Sequence, residues 1–80
     1  MPIYYFPKTS DGIKRDDPVG TEHRDRALAL QEGYTFVREM ALERLKGGED
    51  NFEESVEIYD EAGLMLGHKR ISVKSTQSEG

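Results

Sequence analysis

The stretch DRALALQEGYTFVREMALERLKGG, residues 25–48, decides the fold because it predicts one long amphipathic helix. Asp25 is a good N-cap, since its carboxylate can accept a hydrogen bond from a free N–H group of the first turn. Gly47 and Gly48 predict the end of the helix. The apolar residues recur three or four positions apart and form one stripe, which comprises Ala27, Leu30, Tyr34, Val37, Ala41 and Leu45.

One residue inside this stretch does not suit a helix. Gly33 costs about 1 kcal/mol relative to alanine in a helix interior. Its position therefore predicts either a strand that approaches the helix closely or a small bend.

Strand patterns precede the helix. Residues 3–6 are β-branched and aromatic, which is typical of a strand. A turn at residues 9–12 leads into a second strand at residues 13–16, and residues 17–20 predict another turn.

A second pair of strands follows the helix. Residues 55–59 alternate as a half-buried strand does, and residues 60–63 predict a hairpin turn that leads into a returning strand over 64–73. The order β-β-α-β-β predicts an α+β two-layer sandwich, with one amphipathic helix packed on a small, mainly antiparallel sheet. We expect residues 1–73 to form a single domain and the polar residues 74–80 to form a disordered tail.

The aromatic residues of the predicted sheet point to an interaction surface. Tyr4, Tyr5, Phe6 and Tyr59 cannot all fit under one helix, so some of them are expected on the open sheet face or along an edge. Tyr4, Phe6 and Tyr59 are the predicted contact residues of a homodimer or of a complex with another protein. The alternative is that these are isolated exposed aromatics, which are ordinary on protein surfaces.

Charge is unevenly distributed along the chain, whose net charge is −5. Seven acidic residues and no basic one lie between positions 49 and 61. This acidic block argues against binding to nucleic acid and would suit a basic partner. The alternative is a solvated face that keeps the protein soluble.

The remaining polar residues predict no catalytic or metal site. The acidic residues before the helix lack the spacing of a calcium loop and suit turns and a helix N-terminus. His23 and His68 have no second histidine or cysteine at metal-ligand spacing, and no serine lies in a nucleophile motif. The residues assigned to turns and to the helix cap are Asp17, Gly20, Glu22, Asp25 and Gly63. We therefore expect a non-enzymatic protein without cofactor.

Composition indicates where such a protein works. The chain has no cysteine, which fits a reducing cytoplasm. It contains no apolar run of the length that a signal peptide or a membrane span needs. We expect a cytoplasmic protein without membrane contact.

Several short motifs in a fixed order resemble a family of short bacterial proteins catalogued as a domain of unknown function. An aromatic group after the initial Met is followed by a polar turn with glycine, here residues 4–6 and 11–12. An Asp-x-x-Gly-x-Glu-x-x-Asp pattern at residues 17–25 then leads into the helix. Later motifs are Arg-Glu at 38–39, Glu-x-Leu at 43–45 and an Asp-Glu-x-Gly hairpin at 60–63.

The resemblance covers about residues 1–71 and implies the fold, because the family brings no known activity. The sequence departs from it at Pro7, where the family usually has histidine, and at Gly33, where it favours alanine. The sequence therefore favours a protein-interaction module that acts through a sheet edge or an exposed aromatic face. The alternative is an antitoxin-like regulator that binds a small basic partner through the acidic block.

Overall fold

The computed structural model describes residues 1–79 and has six strands and one helix among them. The fold is an α+β fold with a small antiparallel sheet, as the sequence predicted. The element order is β-β-β-β-α-β-β, with four strands before the helix where the sequence predicted two. The elements are β1 (Ile3–Tyr4), β2 (Lys8–Ser10), β3 (Ile13–Arg15), β4 (Thr21–Glu22), α1 (Arg26–Lys46), β5 (Asn51–Tyr59) and β6 (Met65–Lys74).

Helix α1 begins after the N-cap Asp25 and ends at the glycine pair Gly47 and Gly48, as the sequence predicted. Asp25 has extended backbone angles and its Oδ1 accepts a hydrogen bond from Leu28 N at 3.0 Å. At the other end Gly47 N donates to Glu43 O, and Gly48 has a φ of 94°, which favours glycine. Both ends of the predicted helix are therefore confirmed.

The main sheet has the strand order β3-β2-β5-β6, and every pair in it is antiparallel. β1 pairs with β4 in a separate two-stranded sheet. Tyr5 joins the two sheets by exchanging both backbone hydrogen bonds with Tyr59 at 2.9 Å. The predicted N-terminal strands thus become four short pieces, since β2 and β4 occupy residues that the sequence assigned to turns and connections.

The core lies between α1 and strands β5 and β6. Val56 and Ile58 of β5 are fully buried, and so is Ala29 of the helix. The buried line of α1 consists of Ala29, Gly33, Val37 and Ala41. The buried line therefore shares only Val37 and Ala41 with the apolar stripe predicted from the sequence. The first and last members of that stripe, Ala27 and Leu45, are exposed.

Two glycines allow the helix and the sheet to approach closely. A Cβ on Gly33 would lie 2.7 Å from Ile58 Cγ1, and a Cβ on Gly67 would lie 2.5 Å from both Leu30 Cδ2 and the Tyr34 hydroxyl. Of the two explanations that the sequence left open for Gly33, the close approach of a strand is the one observed.

The C-terminal residues extend the sheet slightly beyond the predicted boundary. β6 includes Lys74, and residues 75–79 belong to no helix or strand. Gly80, the last residue of the predicted tail, lies outside the described residues. Over residues 1–79, no helix is both long enough and apolar enough to cross a membrane.

Candidate functional site

The three aromatic residues predicted to form a contact surface do not share one. Tyr4 and Phe6 are each only 6% exposed and belong to the core cluster, whereas Tyr59 is half-buried. The expectation that Tyr4 and Phe6 lie on an open face was wrong. Their segment runs along the side of β5 opposite to β6, and Phe6 lies beside the gap that Gly33 leaves in the helix.

The residues assigned to turns and to the cap lie at separate points of the chain. Asp17 accepts from Phe6 N at 3.0 Å with Oδ2 and from Gly20 N at 3.1 Å with Oδ1, so it ties a turn to the aromatic segment. Gly20 and Gly63 both have positive φ. Glu22 pairs with Ile3 in the small sheet, and Asp25 caps α1.

The central part of the sheet face turned away from α1 is polar, and Tyr59 lies on the same face at the end of β5. β5 buries alternate residues against the helix, which directs the others to the open face. The open face is therefore formed in its central part by Thr9, Lys14, Glu53, Ser55, Glu57, His68, Arg70 and Ser72.

Arg44 forms a polar cluster at the C-terminal end of α1 that the sequence did not reveal. Its Nη1 donates to Glu54 Oε1 at 2.7 Å, and its Nη2 donates to Asp11 Oδ2 and to Glu49 Oε1, both at 2.7 Å. The guanidinium also lies 4.4 Å from the centroid of the Phe52 ring. The spacing along the helix is the signal that could have placed Arg44 near the sheet. Arg44 follows Ala41 of the apolar stripe by three residues and therefore lies on the same side of the helix.

Arg44 also determines the titration of its neighbours. Its hydrogen bond is the main cause that lowers the pKa of Asp11, with a second contribution from Glu53 N. The same guanidinium lowers the pKa of the Glu49 carboxyl, and the three carboxylates raise the pKa of Arg44. Near neutral pH the Asp11 and Glu49 carboxylates are therefore ionised beside a charged Arg44.

The acidic block predicted to attract a basic partner is largely engaged within the chain. Glu49 and Glu54 bind Arg44, while Glu57 Oε1 lies 3.6 Å from Lys14 Nζ. Glu53 accepts from Ser72 Oγ at 3.0 Å, and Glu61 accepts from Ile3 N at 2.9 Å.

The two aspartates of the block, Asp50 and Asp60, hold local structure. Asp60 Oδ1 accepts from Ala62 N and from Leu64 N, both at 2.9 Å, which forms the hairpin turn, and Asp50 accepts from the Asn51 amide at 3.1 Å. Every acidic side chain of the block thus has a partner within the chain, and Glu49, Glu54 and Glu57 have a cation as that partner.

His23 lies at the other end of the molecule, against the core. Its side chain is 11% exposed and contacts the rings of Tyr4 and Phe6. Nε2 lies 3.1 Å from Glu32 Oε2, although this contact is not directed as a hydrogen bond. A shallow depression beside it is lined by Glu32, Phe36 and Glu39. Among residues 1–79, no three His, Asp or Glu side chains are grouped so as to hold a metal ion.

Strand β6 presents an unpaired edge. Glu57 N and Tyr59 N donate toward the N-terminal segment, to Pro7 O and Tyr5 O. Because backbone groups alternate in direction along a strand, the even-numbered residues of β5 bond to β6. Their partners are Gly67, Lys69, Ile71 and Val73, whose backbone groups point back at β5. The N–H and C=O groups of the alternate residues of β6 therefore point outward. This free edge comprises His68, Arg70, Ser72 and Lys74.

A single helix on one face of an antiparallel sheet, with a polar second face and one long unpaired edge, defines a two-layer α+β domain of the kind that can accept a further strand. The chain belongs to the family described as a domain of unknown function, DUF6894, whose model matches residues 3–72. No curated protein and no solved structure matches the chain.

Proposed function

We propose that this protein is a non-enzymatic interaction module that binds another polypeptide along the free edge of β6. The observation that carries the proposal is the length of this edge. β6 has ten residues, whereas the opposite edge strand β3 has three. A long edge with unpaired N–H and C=O groups is a template for an added strand.

The surroundings of the free edge favour this use. β6 is the last strand of the main sheet, so no strand among residues 1–79 occupies the position beside it. On the face of the sheet that the helix covers, the flank of α1 that also carries Tyr34 leaves Leu45 nearly half exposed, at 45%. An added strand would therefore gain backbone hydrogen bonds and apolar contact together.

The antitoxin-like alternative has less support. It needs the acidic block as a surface for a basic partner, yet the carboxylates of that block bind Arg44, Lys14, backbone N–H groups and other polar groups of the chain. A basic partner would have to compete with these contacts for the carboxylates that already bind Arg44 and Lys14.

A nuclear magnetic resonance titration tests the proposal. The full chain is titrated to millimolar concentration with a neutral, capped ten-residue peptide that alternates Gln and Val. We expect shift changes and slowed amide exchange at His68, Arg70, Ser72 and Lys74. Ser72→Pro removes one outward N–H group and serves as the matched variant, in which we expect this protection to be lost.

The titration can also contradict the proposal. The proposal is contradicted if the hydrogen exchange of the outward amides of β6 is as fast with peptide as without it and does not slow when the protein concentration is raised. The free edge then accepts neither a peptide strand nor a second copy. Changes confined to the helix or to the open face would likewise place the interaction elsewhere.

A further inference from the structure

The free edge of β6 carries positive charge beside its unpaired backbone groups. Two of its four residues, Arg70 and Lys74, are cations. From position 64 to position 78 the chain contains no acidic residue. The side chain of Arg70 is 59% exposed, and its contact with Glu53 Oε1 is long, at 3.8 Å. These cations are therefore available to a neighbour.

The alternation of β6 fixes where those side chains lie. Residues with outward backbone groups also share the open face, because direction and face both repeat every second residue. An incoming strand that bonds to Arg70 and Lys74 places its own bonded residues directly opposite, on the same face. Side chains opposite each other across two strands are close enough for opposite charges to attract.

The other face of the same strand is apolar at its C-terminal end, while Lys69 on the same face lies over the Tyr34 ring. Ile71 and Val73 point toward the helix side, where they are half-buried. Leu45 lies about three helical turns after Tyr34 on the same flank of α1, and Tyr34 covers Gly67 of β6. An added strand would therefore meet the apolar side chains of Ile71 and Val73 on this face and the cations Arg70 and Lys74 on the open face.

We propose, on the basis of the strand-addition function above, that the partner of the free edge is an extended acidic segment of another protein in which acidic and apolar residues alternate. The net charge of the whole chain is negative, but the cations Arg70 and Lys74 lie at the edge itself, and the nearest carboxylates, Glu53 and Glu57, lie beside Arg70 and Lys14. A second copy of this chain fits less well. β6 contains no acidic residue, so no register of β6 against itself sets a carboxylate opposite Arg70 or Lys74.

Three capped peptides that differ only in charge test the proposal. Each has ten residues and alternates Val with Glu, Gln or Lys, and each is titrated into the full chain with the amides of β6 as the readout. At low ionic strength we expect the Glu peptide to bind about tenfold more tightly than the Gln peptide and the Lys peptide to bind most weakly. High salt should reduce the difference, since exposed charges are screened.

Variants of the protein locate the effect. Arg70→Gln combined with Lys74→Gln should bring the affinities for the Glu and Gln peptides together. Arg26→Gln combined with Lys46→Gln removes the same charge at the two ends of α1 and should leave the preference for the Glu peptide unchanged.

The outcomes separate this inference from the function on which it rests. If the Gln peptide binds at the free edge and the Glu peptide binds no more tightly, strand addition stands and the acidic partner is wrong. If none of the three peptides protects the outward amides, both are wrong. In that case the cations of β6 serve to repel other strands.

Discussion

At the residue scale, Gly33 occupies a position where alanine would normally strengthen the helix. Alanine would gain about 1 kcal/mol of helix propensity, but its Cβ would lie 2.7 Å from Ile58 Cγ1. Ile58 is fully buried, so it has little room to move. Because overpacking costs roughly 1–3 kcal/mol, we expect Gly33→Ala to lower the free energy of unfolding, by about 1 kcal/mol in net. Urea denaturation measures the difference.

The matched control for this substitution lies at the end of the same helix. Gly47 has a φ of −76°, and a Cβ on it would meet its nearest atoms at 3.5 Å, an ordinary contact. Gly47→Ala should leave the stability unchanged or raise it slightly. Equal stability of the two variants would show that the contact of Gly33 with Ile58 does not limit the packing.

The cap of α1 is a second property of a single residue. Asp25 Oδ1 accepts from Leu28 N, which otherwise has no partner in the helix. We expect Asp25→Ala to cost about 1 kcal/mol of stability, measured by thermal or urea unfolding. Asp16→Ala removes an exposed carboxylate from the same region and should change stability far less. A similar loss in both variants would assign the effect to charge rather than to capping.

At the scale of elements, the sequence predicted those features whose chemistry is local. The ends of α1 and the hairpin turn at residues 60–63 depend on neighbours a few positions away, and Asp25 and Asp60 act within that distance. In the cluster around Arg44, by contrast, the hydrogen bond between Arg44 and Asp11 joins residues 33 positions apart. Burial of Tyr4 and Phe6 likewise depends on core residues of α1 and β5 that are distant in sequence. Composition does not reveal such partners, and it therefore suggested that one helix could not cover all the aromatic residues.

The orientation of β6 can be tested at this scale with proline. Ile71 directs its N–H at β5, whereas Ser72 directs its N–H outward, so only Ile71 contributes a backbone N–H hydrogen bond within the sheet. We expect Ile71→Pro to destabilise the fold by at least about 1 kcal/mol more than Ser72→Pro, measured in urea. If the two variants ranked in the opposite order, the register of the free edge would be wrong.

At the scale of the whole molecule, the cluster around Arg44 gives stability a dependence on acid. The pKa values of Asp11 and Glu49 are lowered in the folded protein from ordinary values of 3.8 and 4.5. Carboxyls whose pKa falls on folding stabilise the native state above their unfolded pKa and lose this contribution as pH falls through the folded value. We expect the melting temperature to start falling as pH drops to about 4.5 and to continue falling below 3.8.

Removing the guanidinium isolates its share of this dependence. In Arg44→Met the two carboxyls return toward their ordinary pKa values, so the variant should be less stable at neutral pH and lose less stability on acidification. Arg38→Met alters an exposed arginine of the same helix and should keep the acid response of the parent protein. An Arg44→Met protein with an unchanged acid response would assign the effect to other carboxyls.

The distribution of charge also determines how the molecule meets its own copies. Paired β6 strands of two copies would gain backbone hydrogen bonds, but every register brings together edges that contain only basic and neutral residues. We therefore expect light scattering at low ionic strength to report the 9.1 kDa mass of a single chain throughout a dilution series. A dimer that persists on dilution and that Ser72→Pro dissociates would show that a second copy occupies the free edge. The hydrogen bonds of the edge would then outweigh the repulsion between its cations, and the acidic partner would lose its physical basis.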